Sequence, residues 1–555
     1  VKRSRFSVAA FKVLSKNDSG LNEGHQGGIL IPAALRGYFP RLDATTAEPV
    51  PQTTITLLIQ GVGRGLTPVE TCYRKQTWNM TRSGETRITG NLDALRGSSR
   101  PGDILLVERS RTDLTLYRAK ILPKDTDAHR MIEAQACGAR WGFLPGYRDG
   151  ELASDRRLIA RLDRIEATRF ASCFAYEFDC IDADLPPEEL DTSFSNPEVT
   201  APFALTRIIS PEQRLAKMLG ARPREGMWIE LLISPGGQRD LPRAAIAQLM
   251  PGGYKEQDRG VVSAMRMILD SDEPPQKFPE AGASVPRSTA AALAAIAKCG
   301  IPPASAVAAA PVLKLLRPLL AKAASIVVHD VGQASFVSII SGQQEQLLHF
   351  DAGWPISFNG KTAPKKLPVA EKVPVVLSHW DWDHLHAYHS IPALAQTFWI
   401  VPQQPVGPGA TKIAKALHKI KKLMTYAGAD IALGNGVLIA CKGPSGMNDT
   451  GLALDITLAN GRAALLVGDA GYAHLGAAVT GKRYDLLVVT HHGADFAGAV
   501  PSSGGVSPAC VVSVGLNNVY GHPRASALQL HTDCGWNITR TSRLGKTGRG
   551  DRTLS

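Results

Sequence analysis

Ser378-His379-Trp380-Asp381-Trp382-Asp383-His384 decides how the rest of this 555-residue chain is read. It follows Val373-Pro374-Val375-Val376-Leu377, a short apolar run that reads as a buried strand. Two histidines and two aspartates then fall within six residues, just past the strand's end. A loop leaving a strand can aim alternate side chains at one point. Imidazole with carboxylate is a ligand set for a divalent metal. A solvated turn has no need of that spacing.

The same pattern recurs on either side. Ser325–His329 leads into Asp330-Val331-Gly332, and Gln346–Phe350 into Asp351-Ala352-Gly353. Arg462–Val467 ends in Gly468-Asp469, and Asp485–Thr490 in His491-His492-Gly493. Cys510–Val514 leads to Asn517-Asn518-Val519-Tyr520-Gly521-His522-Pro523. Buried strands whose polar ends gather at one edge build a site there.

This order resembles the metallo-β-lactamase fold, an αββα sandwich, and within it the nuclease-like domain of the ComEC/Rec2 competence proteins. The matching features are His329-Asp330-Val331-Gly332-Gln333, Asp351-x-Gly353, His379-x-Asp381-x-Asp383-His384, Asn448-x-x-Gly451, Gly468-Asp469, His491-His492-Gly493 and Tyr520-Gly521-His522-Pro523. Asp381 stands where the wider superfamily has a second histidine, as in the ComEC branch. The resemblance implies a hydrolase with one or two divalent ions, Mn²⁺ or Zn²⁺, with Mg²⁺ admissible. His379 and Asp381 would hold one ion, Asp383 and His384 a second, with Asp469 between them. One of His491 and His492 completes the set. Asp383 and His522 are the expected catalytic groups, His522 bonding the phosphate or protonating the leaving oxygen. Asp330 and Asp351 are expected behind the ligands or as strand-end caps.

The amino-terminal part reads as short strands with Gly-rich turns: Phe6–Leu14, Ile29–Ile31, Thr54–Ile59, Thr86–Thr89, Ile104–Glu108 and Leu114–Ala119. Lys16-Asn17-Asp18-Ser19-Gly20 with Gly24-His25-Gln26-x-Gly28-Ile29-x-Ile31-Pro32 resembles the effector domain of the EcoRII restriction endonuclease, a DNA-binding pseudobarrel of the plant B3 type. Carried over residue by residue, that likeness places Lys16, His25, Gln26, Arg74, Lys75, Arg82 and Arg87 at the DNA. Arg and Lys suit guanine edges and phosphates, and Gln suits adenine.

The expected architecture is multidomain α+β. It comprises a B3-like β pseudobarrel over 1–160, a mixed helical connector or partner-binding region over 161–323, and the αββα sandwich over 324–555. In the middle region, helices are expected over Ser210–Gly220, Asp240–Met250 and Ser288–Cys299, and a strand over Trp228–Ile233. Sixty-two basic residues against fifty acidic ones leave a net charge of +12, which suits an anionic partner such as duplex DNA. The eight cysteines form no Cys-x-x-Cys, and a reducing cytoplasm is the expected setting. No apolar run reaches membrane-spanning length, so no membrane partner is expected; a protein partner or second copy through 161–323 is. The functional expectation is a DNA-directed, metal-dependent nuclease, restriction-like or anti-phage. Two other readings stay open: a hydrolase of a small nucleotide or phosphodiester signal, and a non-catalytic DNA-binding protein.

Overall fold

The computed structural model describes residues 1–555 apart from 1–5, 7–8, 22–27, 41, 43–49, 61–64, 77–84, 98, 111, 137–139, 145–146, 149–150, 153–154, 171, 184, 186, 198, 201, 235–239, 270–293, 300–305, 445 and 544–547. His25, Gln26, Arg82 and the first half of the expected helix at Ser288–Cys299 lie outside the described residues, and the second half is helical from 294 to 298. The chain is mixed α+β, dominated by sheets.

The front of the chain forms an eight-stranded sheet. One end pairs Ile29–Ile31 with Glu85–Thr89, and the other pairs Ala9–Val13 with Trp141–Leu144. Ile29, Ile31 and Ile88 from the first end share one core with Ala10, Leu105 and Val107 from the other, so the sheet curls round on itself. Phe39 fills the centre, stacked on Tyr73 and Tyr117 at 5.0 Å.

The middle of the chain corrects the expectation of a helical region. Residues from Arg156 to Leu269 form a closed six-stranded barrel. In order round the barrel its strands are Arg156–Ala167, Phe174–Asp182, Phe203–Ser210, Arg243–Met250, Gly253–Leu269 and Trp228–Ser234. Arg243–Met250, expected as a helix, is a strand paired on both sides. Its alanines mimic helix propensity, but the flanking ladders override it. The helix Glu212–Leu219 does form, ended by Gly220 at φ 74°. Pro211 rather than Ser210 takes its N-cap position, and the Ser210 hydroxyl donates to the Pro211 carbonyl instead.

The last third is two seven-stranded sheets sharing one core. Val328, Val337, Phe350 and Val376 of the first sheet meet Leu438, Leu454, Leu466 and Val511 of the second. The helix Pro408–Lys419 packs outside the first sheet, and Ala525–Asp533 outside the second. In the first sheet, Gln346–Ala352, Val375–Val376, Trp399–Pro402 and Leu423–Tyr426 run parallel. In the second, so do Ala463–Leu466, Leu486–Val488, Ala509–Val512 and Asn537–Arg540. Parallel strands finish on one side, which gathers their carboxyl ends.

The barrel is docked on this sandwich. Trp228, Phe203, Leu249 and Tyr254 from the barrel share a core with Trp380, Trp382, Trp399 and Ala410. The Asp179 carboxylate accepts the N–H groups of Gly409 (2.8 Å) and Ala410 (3.1 Å), so a barrel side chain caps the helix Pro408–Lys419. Tyr254 meets Trp382 edge-on at 4.7 Å, and its N–H donates to His386 Nε2 at 2.9 Å. His386 and His389, whose rings both meet Tyr254, are part of this seam. Contact here leaves no space for a methyl group: a Cβ at Gly409 would lie 2.2 Å from the Tyr254 hydroxyl and 2.8 Å from Trp382. Gly409→Ala is expected to destabilise the chain by about 1–3 kcal/mol. Urea denaturation checks this, and an unchanged midpoint would mean the seam gives way freely.

Candidate metal centre

Four strand ends converge. The strand Val375–Val376 runs into 378–384, with Asp383 and His384 on the single helical turn Trp382–Leu385. Ala463–Leu466 delivers Asp469, and Leu486–Val488 delivers His491 and His492. Gln346–Ala352 contributes Asp351 from beneath. The approach is backbone-tight: a Cβ at Gly353 would lie 1.8 Å from the Asp383 carbonyl oxygen, so only glycine fits there.

The side chains make two triads with ligand atoms close enough to share an ion. One is His379, His384 and Asp469; the other is Asp383, His384 and His492. His384 Nε2 lies 3.1 Å from Asp469 Oδ1, and His492 Nε2 lies 3.3 Å from Asp383 Oδ2. The rings are held for ligation from behind. His384 Nδ1–H donates to Asp351 Oδ2 at 2.7 Å, and His492 Nδ1–H to the Ser513 carbonyl at 2.7 Å. Ser378 Oγ sits 2.9 Å from His379 Nδ1. Each contact turns an Nε2 toward the pocket. The Nε2 atoms of His379, His384 and His492 and the Oδ2 atoms of Asp381 and Asp469 are all buried. None has a hydrogen-bond partner of good geometry among the described residues. Buried polar atoms are otherwise almost always satisfied, and a divalent cation satisfies this set.

Of the adjacent pair His491-His492, only His492 joins a triad. The pair sits at φ 49° and 53°, a left-handed turn that sends the two rings to different neighbours. His491 sits between the halves: its Nε2 lies 3.5 Å from Asp469 Oδ2, and also meets Arg164 Nη2 at 3.2 Å and Glu166 Oε2 at 3.3 Å from the barrel. Asp381 belongs to neither triad; its Oδ2 lies 3.6 Å from His379 Nε2 and 3.7 Å from Arg164 Nη1.

Sequence reading missed the barrel's share of the site. Arg164 Nη1 donates to Asp383 Oδ2 at 3.0 Å, and its guanidinium lies 4.8 Å over the Tyr520 ring. Tyr520 donates its hydroxyl to Glu177 at 2.6 Å. Glu166 Oε1 lies 3.4 Å from His522 Nε2. The register of the Arg156–Ala167 strand slips between Leu162 and Arg164, an irregularity of the kind that re-aims a side chain. The only sequence signal was a strand with charges at 161, 163, 164 and 166 among apolar residues.

The electrostatics are those of a site built for cations. Burial pushes the Asp383 carboxyl upward, but Arg164, His492 and His384 hold it well below the ordinary carboxylate range. Asp469 is held down against burial in the same way by His384, His491 and His492. Burial lowers His384, yet Asp469 and Asp351 overcome this and raise it well above the ordinary imidazole range. The field that favours an imidazolium there would favour a metal ion too. His522 is pushed down to about 4, by burial against the pull of Glu166, so its ring is neutral at neutral pH. A neutral ring suits the first of the two roles expected of it, a hydrogen bond to a phosphate.

Asp330 is not behind the ligands. Arg549 clasps it, with Nη2 at 3.0 Å from Oδ1, which ties the carboxy-terminal segment to the first sheet. Among the residues expected at DNA, Lys16 and Lys75 are exposed and Arg74 is half-buried. Arg87 is buried and paired with Glu85 at 2.8 Å, so it braces the sheet rather than facing a groove. Among the described residues, no helix is long and apolar enough to cross a membrane.

No protein-family model matches the chain, and no curated protein matches it. Among solved structures, it is similar to a crystal structure of the UbaLAI restriction endonuclease B3 domain, a mutant form with cognate DNA. The identity is 21% and the TM-score 0.16, over 21% of this chain and 69% of that chain.

Asp351→Asn weakens the grip on His384 without touching a ligand. It is expected to lower Mn²⁺ affinity about 10–100-fold, measured by equilibrium dialysis against a competing chelator. An unchanged affinity would remove Asp351 from the centre.

Proposed function

We propose that this chain is a DNA-directed, metal-dependent nuclease. In this reading its sandwich is a metallo-β-lactamase-type hydrolase domain of the ComEC/Rec2 branch, and its front domain binds DNA. One observation carries the reading: three histidine nitrogens and two carboxylate oxygens, buried together without well-directed partners at converging strand ends. The net charge of +12 supports a polyanionic substrate. A specificity module joined to a hydrolytic one suits restriction or defence against phage.

The chemistry divides among the residues. His384, with His379 and Asp469 or with Asp383 and His492, would hold the ion. A divalent metal supplies an acidified water and positive charge for phosphoryl oxygens. Carboxylates among the donors favour Mn²⁺ beside Zn²⁺, with Mg²⁺ admissible. Asp351 and the Ser513 carbonyl orient the His384 and His492 rings. His522, neutral and 3.4 Å from Glu166, can give a hydrogen bond to a phosphate oxygen. The barrel excludes bulk water from the pocket.

A second reading is favoured by that enclosure. The five triad residues are each at most 6% exposed in their pocket. A polymer reaches it only if the barrel shifts, whereas a small phosphodiester needs a smaller opening. Both readings are tested together on plasmid DNA and bis(p-nitrophenyl) phosphate with Mn²⁺, Zn²⁺ or Mg²⁺. Wild type is expected to cut DNA, and Asp383→Ala and His384→Ala to fall to the level of an EDTA control. Turnover of the small ester with intact DNA would favour the second reading. No metal-dependent hydrolysis of either would sink both.

A further inference from the structure

The two triads share one atom. Both use His384 Nε2, because its Nδ1–H is committed to Asp351. One imidazole nitrogen has one lone pair and ligates one ion. The triads therefore describe alternative or merged positions of a single cation rather than two filled sites.

Asp383 of the second triad, with Asp381, His491 and Glu166 outside both, already surrounds a positive charge. Arg164 Nη1 lies 3.0 Å from Asp383 Oδ2 and 3.7 Å from Asp381 Oδ2. Its Nη2 lies 3.2 Å from His491 Nε2 and 3.8 Å from Glu166 Oε2. These are the lone pairs a second ion would need. The guanidinium is buried and set by the strand irregularity, the Tyr520 ring beneath it and the docked barrel. The cation it brings is permanent, since arginine stays charged at any working pH.

We infer that the centre holds one divalent ion and that the Arg164 guanidinium, delivered by the barrel, is its second cation. This rests on the metal-centre reading above and adds to it a stoichiometry and a residue. Arg164 neutralises Asp381 and Asp383 in the resting site. Its Nε–H is buried and has no hydrogen-bond partner among the described residues. That donor is the one left for a phosphoryl oxygen of a substrate, for which a planar guanidinium is well shaped.

The test counts ions on the full-length chain. Wild type, Arg164→Ala, Arg164→Lys and His384→Ala are dialysed to equilibrium against Mn²⁺ and desalted. Bound manganese is then measured by mass spectrometry, and its spin state by electron paramagnetic resonance. Wild type is expected to hold one ion per chain, with the spectrum of an isolated Mn²⁺. Arg164→Lys keeps one, and His384→Ala holds none. Arg164→Ala frees Asp381, Asp383 and His491 and is expected to rise to two, with an exchange-coupled spectrum. Two coupled ions in wild type would overturn the inference and leave the metal centre standing. One ion in both wild type and a folded Arg164→Ala, checked by circular dichroism, would also overturn it. No ion in wild type would overturn the metal-centre reading and this inference with it.

Discussion

Three carboxylates, Asp381, Asp383 and Asp469, are sunk in one pocket where each is at most 6% exposed. Taking an ionised carboxylate out of water costs several kcal/mol unless opposite charge is brought to it. Most of what surrounds the pocket answers that constraint. His379, His384 and His492 line it from the sandwich, and Arg164 enters from the barrel. The close packing at Gly409 lets barrel and sandwich come near enough to do so, and that at Gly353 seats the Asp383 turn on the first sheet. Both triads lie within the sandwich, and the barrel sets Arg164 and Glu166 against them.

The sandwich side was legible because its signal is linear. An apolar run followed at once by Asp or His places that side chain at a strand end, whatever the rest of the fold does. Val375–Val376 with His379 and Ala463–Leu466 with Asp469 both follow this rule. Two finer points were beyond it. Which of His491 and His492 completes a triad depends on consecutive left-handed residues, a backbone choice with no glycine at those positions to announce it. Asp330 and Asp351 look alike in sequence, each followed two residues later by glycine. Only the distant Arg549 distinguishes them by drawing Asp330 away.

Most of the barrel was illegible for a physical reason, although Trp228–Ile233, whose residues alternate in burial, was anticipated as a strand. Strands such as Arg156–Ala167 and Phe174–Asp182 are buried along most of their length, so they lack the alternation that marks a half-exposed strand. In Arg156–Ala167, the apolar residues 158, 159, 162 and 165 fall at helical spacing. Arg161, Asp163 and Arg164, which composition would assign to a solvated surface, are buried. Arg161 is satisfied by Asp163 next to it on the same strand, and Arg164 by residues more than 200 positions away. Long-range pairing of that sort leaves no periodic trace. The front strands were easier, because Gly-rich turns bracket them, although the long strand Leu66–Gln76 was not anticipated.

Enclosure also sets a clock. With the candidate ligands buried beside a docked seam, an ion's exchange would be tied to the parting of barrel and sandwich. That seam is held by several buried tryptophans and the Asp179 cap. On the metal reading, the occupant of the centre is then decided largely while the chain folds. The metal found in a purified sample would record the medium in which the protein was made, more than the order of its intrinsic preferences.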